Sequence, residues 1–238
     1  MIYIAYRGRL GNNIFQYVLA MILSSKINQG IFTKPPDFPF KKETATNRTI
    51  YKKNILVDDD NFLDFLELEN LQETNFVLNG YFHNISLVSK YRENILEMFD
   101  INYRVEEGVF LHYRLGDFNN HIIPNEQYYT YCLDKILETS NQKIYVSTDS
   151  LNHDRIVNLK KKYPIESVET CPTNTIIYGS QFKNKILSLG TFSWWIGFLG
   201  NQNNILCPNS NDFKSDLSQI FPFEGWKGIS KKEYLKMT

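Results

Sequence analysis

The sequence predicts an α/β fold with parallel sheets, and three observations support this prediction. Short runs of β-branched and aromatic residues alternate along the chain with longer amphipathic runs, which is the pattern of repeated strand–helix–strand units. Residues 108–111 are apolar throughout, as expected of a strand that leads through a core. With 238 residues, 42% of them hydrophobic, the chain can bury a substantial core as one large domain or two small ones.

The N-terminal half is predicted to contain two strands and two helices. Residues 2–6 (IYIAY) are aliphatic and aromatic and predict a strand, and residues 14–27 predict the helix after it. A second strand is predicted at 76–82, followed by a helix at 86–99 in which apolar residues recur every three or four positions. Between them, residues 30–62 combine prolines with lysine-rich and aspartate-rich runs, which indicates an irregular excursion rather than core.

The C-terminal half repeats the same alternation. Strands are predicted at residues 108–113, 143–148, 185–189 and 204–207. Helices are predicted at residues 126–139, 151–163 and 192–199, the first of them with clear helical spacing of its apolar residues. A polar stretch at 100–108 separates the two halves, so we predict two domains, residues 1–105 and 106–238.

Composition narrows the classes of function. The 26 Lys and Arg residues balance the 26 Asp and Glu residues, so no global basic field would recruit nucleic acid, and the basic run at 159–163 fits a solvated helix face. No run approaches the roughly 18–20 apolar residues that cross a bilayer, and the N-terminus lacks a secretory pattern. We therefore expect a cytoplasmic protein without an integral membrane segment. Cys132, Cys171 and Cys207 are odd in number and widely spaced, which indicates reduced, structural thiols.

Chemically distinctive residues lie where the predicted strands give way to helices. In open parallel sheets, ligands bind beyond the carboxyl ends of strands, beside helix N-termini that favour negative charge. The residues at these points are Arg9, Gly11 and Asn12 after the first strand, His112, Arg114 and Asp117 at the end of the third, Ser147 and Asp149 at the end of the fourth, and Gly190, Thr191, Phe192 and Ser193 after the fifth.

Arg114 is the hardest of these residues to explain without a ligand. An arginine directly behind an apolar strand needs an anionic partner, and its planar fork suits a phosphate bidentately. Structural explanations stay open for others, because Asp149 fits a cap of the following helix and Thr191 and Ser193 fit a helix start. Taken together, the residues predict a diphosphate-bearing ligand held by an arginine and a helix N-terminus, and a nucleotide sugar fits that description.

Four stretches also match the motifs of a known family, in that family's order. GRLGNNIFQYVLA is similar to G-x-L-G-N-Q-x-F-Q-Y-A, LNGYFHN to G-Y-F/W-Q-S, HYRLGDF to H-x-R-R-G-D-Y, and LSLGTFSWWIGFLG to S-x-S/T-F-S-W-W-x-x-W-L. On these stretches, which span residues 7–200, the chain resembles the α-1,2-fucosyltransferases, a glycosyltransferase family 11-like group of GDP-fucose-dependent transferases.

The resemblance implies a GT-B-like fold, in which two Rossmann-like domains face each other across a cleft. Residues 1–105 would form the acceptor side and residues 106–238 would bind the GDP-sugar. The implied activity is an inverting, metal-independent transfer of fucose from GDP-fucose to a hydroxyl of a glycan acceptor, a galactoside, without a cofactor. No metal ligand is expected.

The resemblance also implies roles for individual residues. Arg114 would hold the donor diphosphate, Thr191 and Ser193 would belong to the phosphate-facing helix start, Asp149 would lie near the nucleoside, and Asn12 would face the cleft. His112, Ser147, Gly190 and Phe192 complete the predicted donor site, and Arg9 and Gly11 complete the N-terminal loop. Inverting transfer needs a base for the acceptor hydroxyl. We hypothesise Asp117 rather than His112, because strand alternation would bury His112.

Departures from the motifs keep other interpretations of the function open. Leu115 stands where the motif has a second arginine, Ser150 where the F-S-D-D motif has a second aspartate, and Leu189-Gly190 where Asn-Ser is common. A transferase for a different GDP-sugar is one alternative, and a catalytically silent protein that binds a nucleotide or a glycan is another. The acidic run VDDDNF at 57–62 could hold Mn²⁺ or Mg²⁺, but a solvated loop is the favoured interpretation.

Overall fold

The computed structural model of the chain describes residues 1–68, 73–116, 124–138, 141–200, 203–213 and 220–237. The chain divides into two compact units, Met1–Ile101 and Asn102–Thr238, which we call the N-terminal unit and the C-terminal unit. Each unit contains a parallel sheet and several helices, so the predicted α/β class with parallel sheets is confirmed. Across these described ranges, no helix combines the length and the apolarity needed to cross a membrane.

The N-terminal unit contains a three-stranded parallel sheet in the order β1–β3–β2. Its elements are, in chain order, β1 (Ile2–Ile4), α1 (Leu10–Ile27), β2 (Lys53–Val57), α2 (Phe62–Glu67), β3 (Thr74–Leu78), α3 (Ile85–Lys90) and α4 (Arg92–Glu97). One row of side chains from the sheet is buried, namely Ile2, Ile4, Val57, Phe76 and Leu78. Lys26 is the only charged residue of α1, so this helix can be buried along most of its length.

The C-terminal unit contains a six-stranded parallel sheet in the order β6–β5–β4–β7–β8–β9. Its elements are β4 (Glu106–Tyr113), α5 (Glu126–Leu137), β5 (Ile144–Thr148), α6 (Asp154–Lys162), β6 (Ile165–Ser167), α7 (Pro172–Ser180), β7 (Phe182–Ile186), α8 (Thr191–Phe198), β8 (Asn204–Pro208), β9 (Lys227–Ile229) and α9 (Lys231–Tyr234). The strand that leads to Arg114 is β4, which therefore lies in the interior of the sheet.

Both faces of β4 are covered, which explains its apolar sequence. Val109, Leu111 and Tyr113 pack into a cluster that includes apolar side chains of α5. Phe110 points the other way and lies so close to Gly179 of α7 that a Cβ there would be 2.5 Å from its ring. Because β4 is packed on both faces, its carboxyl end has little conformational freedom. The strand therefore fixes the start of the loop that follows it.

The sequence prediction was wrong for parts of the chain. Residues 30–62 are not wholly irregular, because they contain β2, and the predicted helix at 86–99 is interrupted at Tyr91, between α3 and α4. The prediction also missed α2, β6, α7, β9 and α9. The three cysteines are free thiols, and two of them, Cys132 and Cys207, are buried.

Candidate functional site

The carboxyl edge of the C-terminal sheet brings three loops together. Strand β4 pairs with β5 on one side and with β7 on the other, and all three strands run parallel. The segments that follow them, at residues 114–116, 149–153 and 187–190, therefore leave from the same edge of the sheet. This is the edge at which open parallel sheets bind ligands.

Arg114 and Gly190 are in contact across this edge. A Cβ built on Gly190 would lie 2.7 Å from Nη1 of Arg114, so the guanidinium packs directly on the backbone of Gly190. Gly190 has φ 144° and ψ 151°, a conformation that residues with a side chain rarely adopt. The structure thus brings together two residues that the sequence placed in one site although they are far apart in the chain.

Helix α8 begins at this contact. Gly190 is its N-cap and has no side chain that could accept a bond from the first turn, and the first turn contains no acidic residue. The start of a helix carries a partial positive charge and donor N–H groups that point along its axis. Together with the adjacent guanidinium, this arrangement suits an anion with several oxygen atoms, such as a diphosphate.

His112 and Ser193 join the end of β4 to the first turn of α8. Nδ1 of His112 lies 2.5 Å from Oγ of Ser193, and both residues are buried. The imidazole ring also packs on Phe192, with 5.0 Å between the ring centroids. This contact holds the start of α8 next to Arg114. The sequence left open whether Ser193 caps the helix, and the structure shows that its hydroxyl is bonded to His112.

The pKa of His112 is lowered to about 4, chiefly because the ring is buried; Asp149 offsets this in part and Arg114 adds to it. His112 is therefore neutral near pH 7. Because this pKa lies below the usual 6.5, the unfolded chain takes up a proton before the folded protein does as the pH falls.

From this shift we predict how stability depends on pH. The contribution of His112 to the free energy of unfolding should be complete above about pH 6.5 and should decline as the pH falls to 4, by about 3 kcal/mol at most. Denaturant titrations at intervals from pH 7 to pH 4 measure this slope. His112→Gln should flatten it, and an unchanged slope in that variant would contradict a buried, neutral histidine.

Asp149 fixes the backbone that follows Arg114. Its Oδ1 accepts a bond from the N–H of Leu115 at 2.7 Å, and its Oδ2 accepts one from the N–H of Gly116 at 3.0 Å. A Cβ on Gly116 would be 2.8 Å from Oδ2, so the close approach depends on glycine. The alternative role for Asp149, a cap of the following helix, is wrong, because His153 is the N-cap of α6.

Asp149→Asn should weaken this support without unfolding the protein. An asparagine keeps one acceptor but turns an N–H₂ group toward the second backbone donor, and Asp149 is exposed enough for water to compensate in part. We expect a loss of about 1 kcal/mol, or roughly fivefold in the apparent affinity for GDP. Calorimetric titration with GDP measures it, and Asp154→Asn, an exposed carboxylate of α6, is the matched control. Equal affinities of the Asp149→Asn variant and the wild type would refute the supporting role.

Two predicted donor residues remain, Ser147 and Thr191. Ser147 is buried in β5 directly beside His112, with which it is in register. Thr191 is the first residue of α8 and is also buried. Asp117, the hypothesised base, lies outside the described residues. Trp194 and Trp195 of α8 are fully buried and belong to the core.

The predicted loop of the N-terminal unit lies at the carboxyl end of β1. Arg9 is the N-cap of α1, and Gly11 is buried within its first turn. Gly8 has φ 75°, and a Cβ there would be 2.0 Å from Nδ2 of Asn12, so the amide of Asn12 lies on Gly8. The glycine and asparagine of this stretch therefore form one unit of structure.

Gln16 is a further residue at this loop, and the sequence patterns did not single it out. This side chain is fully buried in α1 and bonds both polar groups of the Arg7 backbone, its Oε1 accepting from the N–H and its Nε2 donating to the C=O, each at 3.2 Å. Nε2 also donates to the C=O of Gly80 at 2.9 Å. Gln16 therefore links the loops after β1 and β3. The sequence feature that could have identified Gln16 is its position in the stretch GRLGNNIFQYVLA.

The acidic run after β2 has structural roles. Oδ1 of Asp58 accepts bonds from the N–H groups of Asp60 and Asn61. Both oxygens of Asp59 accept bonds from the N–H of Tyr81. Within the described ranges, no group of three or more His, Cys, Asp or Glu side chains is arranged to hold a metal ion.

Comparison with protein families matches residues 60–230 to the family described as Glycosyl transferase family 11. The matched segment covers more than half of the chain and contains LNGYFHN, HYRLGDF and LSLGTFSWWIGFLG, together with Arg114, Asp149 and Gly190. The stretch GRLGNNIFQYVLA precedes it. A search of curated proteins gives no match.

Proposed function

Because the chain belongs to glycosyl transferase family 11, we propose that it transfers fucose from GDP-fucose to a hydroxyl group of a glycan acceptor, a galactoside in an α-1,2 linkage. Membership makes the protein a glycosyltransferase, and the family implies a fucosyltransferase. We further propose a GT-B-like arrangement in which the C-terminal unit binds the donor and the N-terminal unit supplies the acceptor side, with inversion at the anomeric carbon and without a metal.

The contact of Arg114 with Gly190 at the start of α8 carries this proposal. When the bond between the sugar and the diphosphate breaks, GDP leaves with the electron pair and its diphosphate gains negative charge. A guanidinium and a helix N-terminus that converge on one point stabilise that charge more in the transition state than in the bound substrate. The proposed reaction therefore needs no metal ion to stabilise the diphosphate.

In the proposed reaction, the acceptor oxygen forms a bond to the anomeric carbon as the bond to GDP breaks. The hydroxyl proton must pass to a base, and we propose the carboxylate of Asp117, which follows Arg114 closely in the chain. His112 is less suited to this task because its pKa is lowered to about 4 and its Nδ1 is bonded to Ser193.

One observation favours a second candidate, a transferase for a different GDP-sugar. Leu115 replaces the second arginine of the motif, so this position offers no charge to the ligand. Its side chain is buried in the apolar cluster of the C-terminal unit. Diphosphate contacts alone do not distinguish one GDP-sugar from another.

A donor screen tests the proposal. The protein is incubated with GDP-fucose, GDP-mannose or GDP-glucose and a panel of galactosides, and GDP release and the glycosidic linkage of the product are measured. We expect α-1,2-fucosylated product from GDP-fucose, at an undiminished rate in EDTA. Product from another donor would establish the second candidate, and binding of GDP without hydrolysis or transfer from any donor would indicate a catalytically silent protein.

A further inference from the structure

An aromatic side chain projects from the carboxyl end of β3 in the N-terminal unit. Tyr81 is 40% exposed, although one side of its ring lies against His83, with 5.5 Å between the ring centroids and an interplanar angle of 28°. His83 in turn packs on Phe15 of α1, at 5.0 Å between centroids. The Tyr81 ring is therefore supported from within the unit and presents its remaining surface to solvent.

The turn that carries this ring is held from several directions. Asp59 accepts bonds from the N–H groups of Tyr81, at 2.9 Å, and of Phe82, at 2.5 Å. Gln16 donates to the C=O of Gly80. Phe82 has φ 58°, which is rare for a bulky residue and persists only where the surroundings enforce it. A ring that is fixed before binding loses little conformational entropy when a ligand packs on it.

We propose that Tyr81 packs against the apolar face of a pyranose ring of the acceptor. One face of a pyranose presents C–H groups, whose partial positive charge suits the negative face of an aromatic ring. The inference rests on the proposed function, which makes a glycan the second substrate, and it assigns a residue that contacts it. The position also fits, because Tyr81 follows a strand at its carboxyl end, and Gln16 links its turn to the loop that contains Arg9.

Phe32 provides a matched control for Tyr81. It is also an exposed aromatic residue of the N-terminal unit, at 63% exposure, and it packs on Tyr3 with 5.1 Å between centroids. Its N–H bonds to the C=O of Ile2, the first residue of β1, which places it toward the opposite end of that strand. Exposure of an aromatic ring is common to both residues, whereas the position at the carboxyl edge belongs to Tyr81.

Three variants, Tyr81→Ala, Tyr81→Phe and Phe32→Ala, test the inference in the full-length chain. Fucosyl transfer gives KM for the acceptor and for GDP-fucose, and saturation-transfer NMR with methyl β-galactoside measures glycan binding without catalysis. Tyr81→Ala should raise the acceptor KM about three- to tenfold and weaken saturation transfer by a similar factor, with the KM for GDP-fucose unchanged. Tyr81→Phe and Phe32→Ala should behave as the wild type.

The two readouts separate this inference from the proposed function. If the wild type transfers fucose and Tyr81→Ala leaves both acceptor KM and saturation transfer unchanged, the inference is overturned while the function stands. If the wild type transfers no sugar but its saturation transfer depends on the Tyr81 ring, the function fails and the glycan contact is upheld. A loss in Tyr81→Phe equal to that in Tyr81→Ala would also overturn it, because stacking does not need the hydroxyl.

Discussion

Arg114→Ala is expected to lower kcat/KM for GDP-fucose by about 30-fold to several thousand-fold, corresponding to about 2–5 kcal/mol. The guanidinium lies on Gly190 at the start of α8, where it can bind phosphate oxygens bidentately. An alanine leaves the diphosphate with the helix start alone, so the charge that develops on departing GDP is poorly stabilised. The loss should appear in kcat as well as in KM, since the contact strengthens in the transition state.

Steady-state kinetics with GDP-fucose as the varied substrate measures this effect. Arg114→Lys should be intermediate, because lysine keeps the charge but not the planar fork. Arg104→Ala is the control, since Arg104 is an exposed arginine of the same unit. Near-normal kinetics in Arg114→Ala would count against the assignment of the donor site.

Gly190→Ala is the second change for which a large effect is expected. Its Cβ would lie 2.7 Å from Nη1 of Arg114, and φ 144° is unfavourable for alanine. The guanidinium must move, and the strained cap costs roughly 1–3 kcal/mol. We expect lower stability and a loss of GDP affinity of about tenfold or more, because both elements of the anion site shift together.

Gly225→Ala separates strain from displacement. Gly225 also has a positive φ, 82°, but a Cβ there would have no atom within 4 Å. Both variants should lose stability in thermal unfolding, and only Gly190→Ala should lose affinity for GDP in calorimetry. Equal GDP affinities in the two variants would show that Gly190 matters to the fold alone.

How far the sequence predicts the fold depends on burial. Strand β4 is visible in the sequence because it is covered on both faces and reads as a continuous apolar run. Strand β2 is an edge strand in which only Val57 is fully buried, so its pattern merges with the polar segments around it. Strands β6 and β9 have three residues each, too few to show any period.

The site could likewise be predicted only in part from the sequence. The rule that ligands bind beyond carboxyl strand ends selected Arg114 and Gly190, but their contact depends on the pairing of β4 with β7, which residue spacing does not reveal. The partners of Asp149 and Asp59 are backbone N–H groups distant in the chain, and a backbone group leaves no signal in the sequence. Sequence patterns identify side chains with unusual chemistry, and the strand order decides which of them meet.

Calorimetric titration of GDP and GMP tests the central claim, that Arg114 and the start of α8 together bind the donor diphosphate. The two ligands differ by the terminal phosphate, so the ratio of their Kd values isolates its contribution. We predict that the wild type prefers GDP by at least about tenfold, or 1.4 kcal/mol, and that Arg114→Ala loses most of this preference, keeping only the part that the helix start contributes. A preference for GDP that persists undiminished in Arg114→Ala would contradict the claim.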